Sequence, residues 1–286
     1  MFALELAGLK KTYRSRGQNQ VALTGIDLQV AKGQIFGFAG PNGAGKSTTI
    51  KILVGLMTPD QGKALVFEHP CGSQQARRQI GYLPETSTYH EFMTANELLN
   101  IHAHLAGVPR AEQAARCQEV LELVGLQDRG RSRIKEFSKG MKQRFGVAQA
   151  LVGRPGLLIL DELTSGLDPM AQRELLSILE RLKGEGITVF FSSHHMNEIE
   201  AVCDGAAIIH KGQIHRQGTL EELLTSKMVR LRYRQEGEVV ECQLESEQAA
   251  AELSRLTTEG VEVLEYVPVR GNFAEVFHQV MAEVAA

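Results

Sequence analysis

A glycine-rich stretch near the start of the chain has the residue types and spacing of a phosphate-binding loop. The sequence GPNGAGKS, from Gly40 to Ser47, matches the pattern G-x-x-x-x-G-K-[S/T] and lies between an apolar run and a helical pattern. Glycines let backbone N–H groups turn toward phosphate oxygens, and the helix N-terminus adds partial positive charge. In such a loop Lys46 reaches the β- and γ-phosphates, and the Ser47 hydroxyl is a ligand of Mg²⁺. This phosphate loop predicts a site for a nucleoside triphosphate with Mg²⁺.

Two adjacent carboxylates follow a second apolar run. The sequence LLILDE predicts a buried strand, with Asp161 and Glu162 emerging at its C-terminal end. Ligands bind at that edge of a parallel α/β sheet. We expect Asp161 to hold Mg²⁺ through water and Glu162 to polarise the attacking water as general base. Paired carboxylates are common at loop starts, and it is the phosphate loop upstream that favours the catalytic interpretation.

A second turn suited to an anion lies about ninety residues after the phosphate loop. The sequence FSKGMKQRF runs from Phe137 to Phe145, and its Ser138 precedes a Lys-Gly turn and a basic, helix-like stretch. The start of a helix offers unpaired N–H groups and partial positive charge to an anion. A single nucleotide site in one chain does not require two such turns.

The elements that must position these residues follow from apolar periodicity. LELAGLKKTY and ALTGIDLQVAKG predict strands of an antiparallel sheet, and STTIKILVGLM predicts a helix that ends near Thr58-Pro59. Residues 91–151 are predicted to be mainly helical, with a capping box in TANE, at Thr94–Glu97. The later strands LLILDE and ITVFFSS, separated by the helical AQRELLSILERLK, predict a parallel sheet covered on both faces. GAAIIHKGQIHRQG predicts a hairpin that turns at Lys211-Gly212.

The character of the chain changes after Ser226. VRLRYR alternates, so that Val229, Leu231 and Tyr233 share one face and three arginines share the other. The patterns that follow predict a small ββαβα unit, which places a domain at residues 1–225 and an accessory domain at residues 228–286. This unit is either a packing appendage or a regulatory, dimer-stabilising module whose arginine face meets an acidic partner. Arginine stripes are usually solvated strand faces, which favours the appendage.

Bulk properties indicate an ordinary globular protein. The 286 residues carry a net charge of -3, so the basic excess of a typical nucleic-acid binder is missing. The four cysteines, Cys71, Cys117, Cys203 and Cys242, are scattered without a C-x-x-C pair, and we expect reduced thiols without zinc or disulfides. The N-terminus lacks a signal-peptide pattern, and no apolar run approaches the roughly 20 residues that span a bilayer. Any membrane part must come from another chain.

With these motifs in order, residues 2–225 resemble the nucleotide-binding subunit of an ATP-binding cassette (ABC) transporter. Seven motifs carry the resemblance: Tyr13, the phosphate loop, GYLPE, FSKGM, Asp161-Glu162, SGLD and SSHH. The family's fold is an α/β P-loop NTPase with a mostly parallel core sheet. The resemblance adds an N-terminal antiparallel β subdomain and a helical subdomain at about residues 88–151. The small C-terminal α+β unit lies outside it.

The resemblance also implies roles for individual residues. The ATP-binding set carried over from the family is Tyr13, stacking on adenine, with Gly40, Asn42, Gly43, Ala44, Gly45, Lys46, Ser47, Thr48 and Glu85. In the signature turn, Ser138, Lys139, Gly140 and Met141 would contact the ATP held by a partner chain. The D-loop comprises Ser165, Gly166, Leu167 and Asp168. The expected metal ligands are Ser47 and Asp161, with Glu85 as a further candidate.

Two histidine pairs, His194 with His195 and His102 with His104, are candidates for a functional role. His194 follows the strand ITVFFSS directly, as the family's switch histidine does, and Glu198 and Glu200 match the acidic positions that follow. We therefore expect His194 to bind the γ-phosphate and orient water with Glu162, and His195 to be a surface residue at a helix start. In HAH, His102 and His104 are two residues apart and fall on different faces of a helix, which disfavours a metal site.

The chain departs from the family pattern at four positions. Glu85 replaces the usual glutamine and can accept a hydrogen bond but cannot donate as an amide does. Lys139 and Met141 replace glycine and glutamine in the signature turn, and Leu163 replaces a proline after the carboxylate pair. The expected ligands and catalytic groups are all present, so an active enzyme is predicted. The signature turn and GYLPE resemble bacterial exporter-type cassettes more than nutrient importers.

The function implied by the resemblance is an ATPase that powers a membrane transporter, with ATP and Mg²⁺ as ligands. Two cassettes, as a homodimer or a heterodimer, would close head-to-tail on two ATP molecules. Motion would pass to a separate transmembrane permease through the region around Thr88–Leu105. The chain would be cytoplasmic and peripheral on the inner face of the membrane, without inserting and without binding nucleic acid. The alternatives are a soluble cassette ATPase acting on ribosomes or DNA, and a P-loop kinase. The transported substrate does not follow from the sequence.

Overall fold

The computed structural model describes residues 1–15, 18–235 and 238–285. The chain divides into two compact units, Met1–Gly218 and Thr219–Ala286. The first unit therefore ends ahead of the boundary proposed at residue 225, because a short helix that begins at Leu220 belongs with the second unit.

The strands of the first unit are β1 (Phe2–Ser15), β2 (Gln18–Ala31), β3 (Ile35–Ala39), β4 (Gln61–Val66), β5 (His69–Pro70), β6 (Ile80–Leu83), β7 (Leu157–Asp161), β8 (Thr188–Ser193), β9 (Gly205–His210) and β10 (Gln213–Thr219). Its helices are α1 (Lys46–Leu53), α2 (Gln74–Gln79), α3 (Ala95–Leu105), α4 (Arg110–Leu123), α5 (Lys139–Leu151), α6 (Pro169–Gly184) and α7 (Met196–Val202). Short 3-10 turns lie at Gln127–Arg129 and Ile134–Glu136.

The N-terminal sheet is antiparallel, which confirms that prediction. Its strand order is β2-β1-β4-β5, and β1 pairs with both β2 and β4. Apolar side chains such as Leu4, Leu9 and Ile26 point to one side and are buried in a core shared with Phe38 and Phe190 of the central sheet. The two short strands β4 and β5 were not predicted. β4 pairs with β1, which is far away in the sequence, and β5 is a two-residue strand that pairs with β4.

The central sheet has the order β10-β9-β3-β8-β7-β6. β3 pairs in parallel with β8 and β9, and β7 pairs in parallel with β6 and β8. Every residue of β3, β7 and β8 is buried, as expected for parallel strands covered on both faces. The carboxyl ends of β3, β7 and β8 therefore meet at one edge, where the phosphate loop, Asp161 and Ser193 lie.

The helical segment confirms the predicted local signals. Thr94 and Glu97 form the capping box at the start of α3, with the Thr94 N–H donating to Glu97 Oε2 at 2.8 Å. Val120, Leu121 and Val124 are buried on one side of α4. The segment is a three-helix layer that ends with α5, whose first turn contains the signature residues.

Helix α1 is shorter than predicted. It ends at Leu53, although the apolar periodicity indicated a helix reaching Thr58-Pro59. Gly55 has a φ of +74°, and a Cβ atom there would lie 2.5 Å from Gly72 Cα. The close approach of these two glycines turns the chain out of the helix toward β4, a long-range contact that the local pattern does not contain.

The predicted hairpin is confirmed at Lys211-Gly212. β9 and β10 are neighbours in the sheet, and both turn residues have positive φ, +47° and +76°. Two consecutive positive φ values are typical of the tight turns that match the twist of paired strands.

The second unit has the predicted ββαβα order after one additional short helix. Its elements are α8 (Leu220–Leu224), β11 (Thr225–Gln235), β12 (Glu238–Glu245), α9 (Ser246–Thr258), β13 (Glu262–Arg270) and α10 (Phe273–Ala285). The sheet order is β12-β11-β13, with antiparallel pairing on both sides of β11. Leu231, Tyr233 and Leu256 form its core, so the apolar face of VRLRYR is covered by α9.

The arginine face of β11 is paired within the unit. Arg230 and Arg232 both contact Glu265, at 2.8 and 3.1 Å, and Arg234 contacts Glu262 at 3.0 Å. The acidic groups that pair with these arginines come from the neighbouring strands, mainly β13, which favours the packing appendage over the module that meets an acidic partner.

Over the described ranges, no helix is long and apolar enough to span a bilayer. All four cysteines have free thiols, and burial raises the pKa of the Cys71 thiol to about 12.

Candidate functional site

The phosphate loop connects β3 to α1 through left-handed backbone. Gly43 and Gly45 have φ values of +78° and +114°, which side chains with a Cβ rarely adopt. Gly40 approaches the neighbouring strand so closely that a Cβ atom would lie 2.5 Å from Ile209 O. Lys46 begins α1 and is 5% exposed, with its Nζ donating to Gly40 O at 2.6 Å. The loop thus folds around the amine of Lys46.

The carboxylate pair lies at the neighbouring strand end. Asp161 is 4% exposed, and its Oδ1 accepts a hydrogen bond from Ser192 Oγ at 2.6 Å. The same hydroxyl accepts from the backbone N–H of Glu162 at 3.0 Å. Ser192 therefore ties the end of β7 to the end of β8, and it holds both acidic residues at the sheet edge.

Glu162 lies between Lys46 and His194. Its Oε1 is 3.1 Å from Lys46 Nζ, and its Oε2 shares a hydrogen bond with His194 Nδ1 at 2.6 Å. Burial alone would raise the pKa of Glu162, but the charge of Lys46 and hydrogen bonds from His194 and Lys46 outweigh it and lower the pKa below its ordinary value. The group is therefore a carboxylate at neutral pH and can accept a proton or a hydrogen bond.

One cavity of about 210 Å³ brings most of the predicted nucleotide residues together. Its lining includes Tyr13, Glu85, Glu162 and most of the phosphate loop, but not Gly40 or Ala44. Tyr13 is half-buried, and its hydroxyl lies 3.1 Å from Thr48 Oγ1. Tyr13 thus flanks the phosphate loop, and its hydroxyl contacts α1, as a tyrosine that packs at a strand end would; its stacking on adenine stays a prediction.

The signature turn lies at the start of α5. Ser138 is the N-cap residue, and its Oγ accepts a hydrogen bond from Met141 N at 3.2 Å. Ser138, Lys139 and Gly140 line a second cavity, of about 260 Å³, together with the D-loop residues Gly166, Leu167 and Asp168. The phosphate loop is not among the residues that line this second cavity.

Lys139 contacts the D-loop of its own chain. Its Nζ donates to Gly166 O at 3.0 Å. Lys139 also lines a cavity of about 320 Å³ with Glu85, Glu162 and Ser165. The lysine at the family's glycine position thus bridges the signature turn to the turn that follows Glu162.

The D-loop is a defined turn that leads into α6. Ser165 N donates to Glu162 O at 3.1 Å, and Leu167 N donates to Thr164 O at 3.1 Å. Asp168 caps α6 by accepting from the N–H groups of Met170 and Ala171, both at 3.0 Å. Leu163, at the family's proline position, is 2% exposed and belongs to the core.

The two histidines of SSHH differ in position as predicted. Both side chains are exposed; His194 contacts Glu162, whereas His195 is the N-cap residue of α7. His102 and His104 lie in α3, and no group of His, Cys, Asp or Glu suited to a metal occurs within the ranges that the structure describes.

Sequence reasoning missed three polar groups that order this edge: Ser192, Ser193 and Thr164. The sequence did contain a signal for the two serines. The pair SS directly follows the buried run ITVFF, and so lies at the carboxyl end of a predicted parallel strand, where ligands bind. No local signal indicated Thr164, whose partner Glu198 lies 34 residues away.

Comparison with known proteins identifies the family. The family model described as ABC transporter matches residues 23–165, which are 143 of the 286 residues. An uncharacterized ABC transporter ATP-binding protein of Nostoc sp. is 42% identical over 77% of this chain and 67% of its own length. The linearmycin resistance ATP-binding protein LnrL of Bacillus subtilis is 37% identical over 77% of this chain and 70% of its own. The methionine import ATP-binding protein MetN of Symbiobacterium thermophilum is 37% identical over 91% and 78%.

Solved structures agree in fold. A structure described as the ATP binding subunit of an ABC transporter has a TM-score of 0.68 and 34% identity, covering 77% of this chain and 91% of its own. The cassette MJ0796, in a dimeric post-hydrolysis state with ADP and Pi, has a TM-score of 0.68 at 23% identity, covering 76% and 98%. The likeness to MJ0796 concerns the fold alone.

The fold and the matched family together define a P-loop ATPase of the ABC class. This chain belongs to the ATP-binding subunits of ABC transporters. Members of this family bind ATP with Mg²⁺, dimerise and work with separate transmembrane subunits. The resemblance in the motifs is thereby confirmed. The chain spans about two thirds of the first curated relatives it matches, 67% and 62%.

Proposed function

We propose that this chain hydrolyses ATP with Glu162 as general base and so powers a membrane exporter. The observation that supports this most directly is the position of Glu162 between Lys46 Nζ, at 3.1 Å, and His194 Nδ1, at 2.6 Å. A buried carboxylate with a lowered pKa can orient a water molecule against a phosphate that Lys46 and the loop amides hold.

The surrounding residues fit the bound groups. The loop amides, exposed by the left-handed glycines, and Lys46 would hold the phosphates, and Tyr13 would stack on adenine. Ser47 and Asp161 would hold Mg²⁺, with Glu85 as a further candidate; the buried Asp161 has one oxygen occupied by Ser192 and another left to accept. When bound, Mg²⁺ neutralises phosphate charge. His194 would hydrogen-bond the γ-phosphate and keep Glu162 oriented.

The direct test of the proposed general base replaces Glu162. Glu162→Gln keeps the shape and removes the charge, so we expect ATP binding to persist while kcat falls by at least about 100-fold. Steady-state ATPase assays and ATP titration of the same preparation measure both quantities. Near-normal turnover in Glu162→Gln would exclude this residue as the base, whereas loss of ATP binding would indicate a binding role.

The composite active site is the second part of the proposal. Ser138, Gly140 and their neighbours Lys139 and Met141 would contact ATP held by the phosphate loop of a second chain, and the D-loop would line the same contact. In support, Ser138 and Gly140 line a cavity with the D-loop, and that cavity does not include the phosphate loop of the same chain. The partner is a second copy or a related cassette.

A surface around Thr88–Leu105 is the proposed contact with the transmembrane permease. Phe92, which precedes α3, and Leu105, at the end of α3, are 72% and 75% exposed, and we take both as contact residues for the permease. His102 and Leu105 also line a cavity of about 690 Å³ that includes Arg77 and Tyr82. A Phe92→Ser, Leu105→Ser variant should keep its ATPase activity and lose association with the membrane fraction. Unchanged membrane association would contradict this surface.

Export is the proposed direction. One relative, LnrL, is a linearmycin resistance ATP-binding protein, and the signature turn and GYLPE resemble exporter-type cassettes. Another relative, MetN, is a methionine import ATP-binding protein, so family membership alone does not give the direction. ATP added to inside-out membrane vesicles that contain the complex should drive substrate into the vesicle lumen. ATP-dependent uptake in right-side-out vesicles would contradict export.

A further inference from the structure

Glu198 is a buried carboxyl group that has no role in the proposed chemistry. It lies in the first turn of α7 and is 6% exposed. A buried carboxyl group is unfavourable unless hydrogen bonds replace those it made with water. Two hydroxyl groups supply them here, because Thr164 Oγ1 contacts Glu198 Oε1 and Ser193 Oγ donates to Glu198 Oε2 at 2.8 Å.

The two hydroxyl groups belong to the two loops that carry the proposed catalytic pair. Thr164 is two residues after Glu162, in the turn that begins the D-loop. Ser193 ends β8 and directly precedes His194. Ser193 Oγ also accepts from the backbone N–H of His195 at 2.9 Å, so the chain is held on both sides of His194. Glu198 therefore joins the loop of the base to the loop of the histidine.

The link by Glu198 complements the one made by Ser192. Ser192 fixes the backbone of Glu162 from the strand end, whereas Glu198 fixes the turn that follows Glu162. Glu162 Oε2 and His194 Nδ1 lie only 2.6 Å apart, and this contact depends on the spacing of the two loops. A displacement of about 1 Å in a catalytic pair can lower a rate about 100-fold.

We propose that Glu198 is a positioning residue for ATP hydrolysis, which clamps the turn after Glu162 to the loop of His194 through Thr164 and Ser193. The inference rests on the proposed roles of Glu162 and His194. Glu198 does not reach the reacting atoms in this arrangement, and it acts by setting the geometry of the Glu162–His194 pair.

The test is a double-mutant cycle on the purified full chain with MgATP. Glu198→Ala should lower kcat by about 10- to 100-fold and leave the KM for ATP within about twofold, because the phosphate loop is untouched. In a His194→Ala background, adding Glu198→Ala should change kcat by no more than about twofold, since the clamp then has no histidine to position. Glu198→Gln should recover part of the rate, as its amide oxygen still accepts one hydroxyl.

Two further variants separate positioning from folding. Thr164→Val keeps the side-chain shape, removes one hydroxyl of the clamp and should lower kcat in the same direction as Glu198→Ala. Glu222→Ala removes a glutamate from the capping box of α8, in the other unit, and should leave kcat unchanged. Thermal unfolding of each variant shows whether it is folded at the assay temperature.

The kcat values of these variants distinguish failure of this inference from failure of the proposed function. Full kcat in folded Glu198→Ala and Thr164→Val, beside an impaired His194→Ala, would overturn this inference and leave the proposed function intact. A loss from Glu198→Ala that multiplies with the loss from His194→Ala would also overturn it, because Glu198 would then act elsewhere. Full activity of His194→Ala alone would overturn the proposed role of the histidine, and with it this inference.

Discussion

Glu162 has a backbone conformation that is unusual for a residue with a side chain. Its φ is +50°, a left-handed value that costs on the order of 1–3 kcal/mol in residues other than glycine. The conformation is held by the hydrogen bond from Glu162 N to Ser192 Oγ and by the turn bond from Ser165 N to Glu162 O. Strain at this position, together with the contacts to Lys46 and His194, agrees with the proposed role as general base.

Lys139 illustrates how one substitution within a motif can change a contact. The amine contacts the Gly166 carbonyl of its own chain at 3.0 Å, and the carbonyl is two residues before the helix cap Asp168. The contact is solvent-exposed, and a net value of about 1 kcal/mol is typical of such hydrogen bonds. We infer that Lys139 steadies the D-loop, in addition to or instead of contacting a partner's ATP.

Replacement of Lys139 distinguishes these two roles. If the amine steadies the D-loop, Lys139→Met should lower kcat by about 2- to 10-fold with an unchanged KM for ATP, and Lys139→Arg should restore most of the rate. Lys142→Met removes the same charge one turn along α5, where Lys142 pairs with Glu91, and serves as the control. A raised KM with unchanged kcat in Lys139→Met would instead indicate contact with the nucleotide.

At the scale of elements, the arginines on one face of β11 are paired with glutamates of β13 in the same sheet. Glu265 is opposite Arg232 in the register, and it receives hydrogen bonds from both Arg230 and Arg232. These bonds lower the pKa of Glu265 below its ordinary value of 4.5. The arginines are thus part of the structure of the second unit, which agrees with a stabilising appendage.

This pairing makes the second unit sensitive to acid. Because the pKa of Glu265 is lowered on folding, its contribution to stability is fully present above about pH 4.5 and is lost as the pH falls through the lower folded pKa. Glu265→Gln should therefore reduce the hydrogen-exchange protection of β11 at pH 7, and the difference from wild type should shrink below pH 4.

The control for the acid effect is Glu247→Gln, which changes an exposed glutamate of α9 outside the sheet. It should leave the protection of β11 unchanged at both pH values. Equal protection in wild type and Glu265→Gln at pH 7 would show that the arginine–glutamate contacts do not stabilise the sheet.

The sequence predicted elements whose signals are local. The capping box at Thr94, the hairpin turn at Lys211-Gly212 and the alternation of VRLRYR each occupy a few consecutive residues, and the structure confirms them. The early end of α1 and the pairing of β4 with β1 depend on contacts between distant segments, such as Gly55 with Gly72, and no local pattern encodes them.

The residues of the site also divide into those with a local sequence signal and those without one. The phosphate loop, Asp161, Glu162 and His194 follow from spacing and from strand ends, and the structure brings them to one sheet edge. The hydroxyl links through Ser192 and Glu198 and the contact of Lys139 with Gly166 were not predictable. They depend on which side chains face each other after the parallel strands are aligned.

For the whole molecule, the arrangement of cavities bears on why one chain carries two turns suited to anions. The phosphate loop lines one cavity with Tyr13 and Glu162, whereas Ser138 and Gly140 line another with the D-loop. A cassette that closes head-to-tail on a second copy would bring the signature turn of each chain to the phosphate loop of the other. The second turn would then complete the site of a partner.

Complementation between two inactive variants tests this claim most directly. Lys46→Ala disables the phosphate loop, while Ser138→Asp retains a helix-capping side chain and places negative charge against the partner's ATP. Each variant alone should have little ATPase activity. Mixed in equal amounts, they should recover about a quarter of the wild-type rate, since half of randomly formed dimers are mixed and each mixed dimer has one intact composite site. No recovery in a mixture shown to form mixed dimers would contradict the composite site, and with it the account of the signature turn.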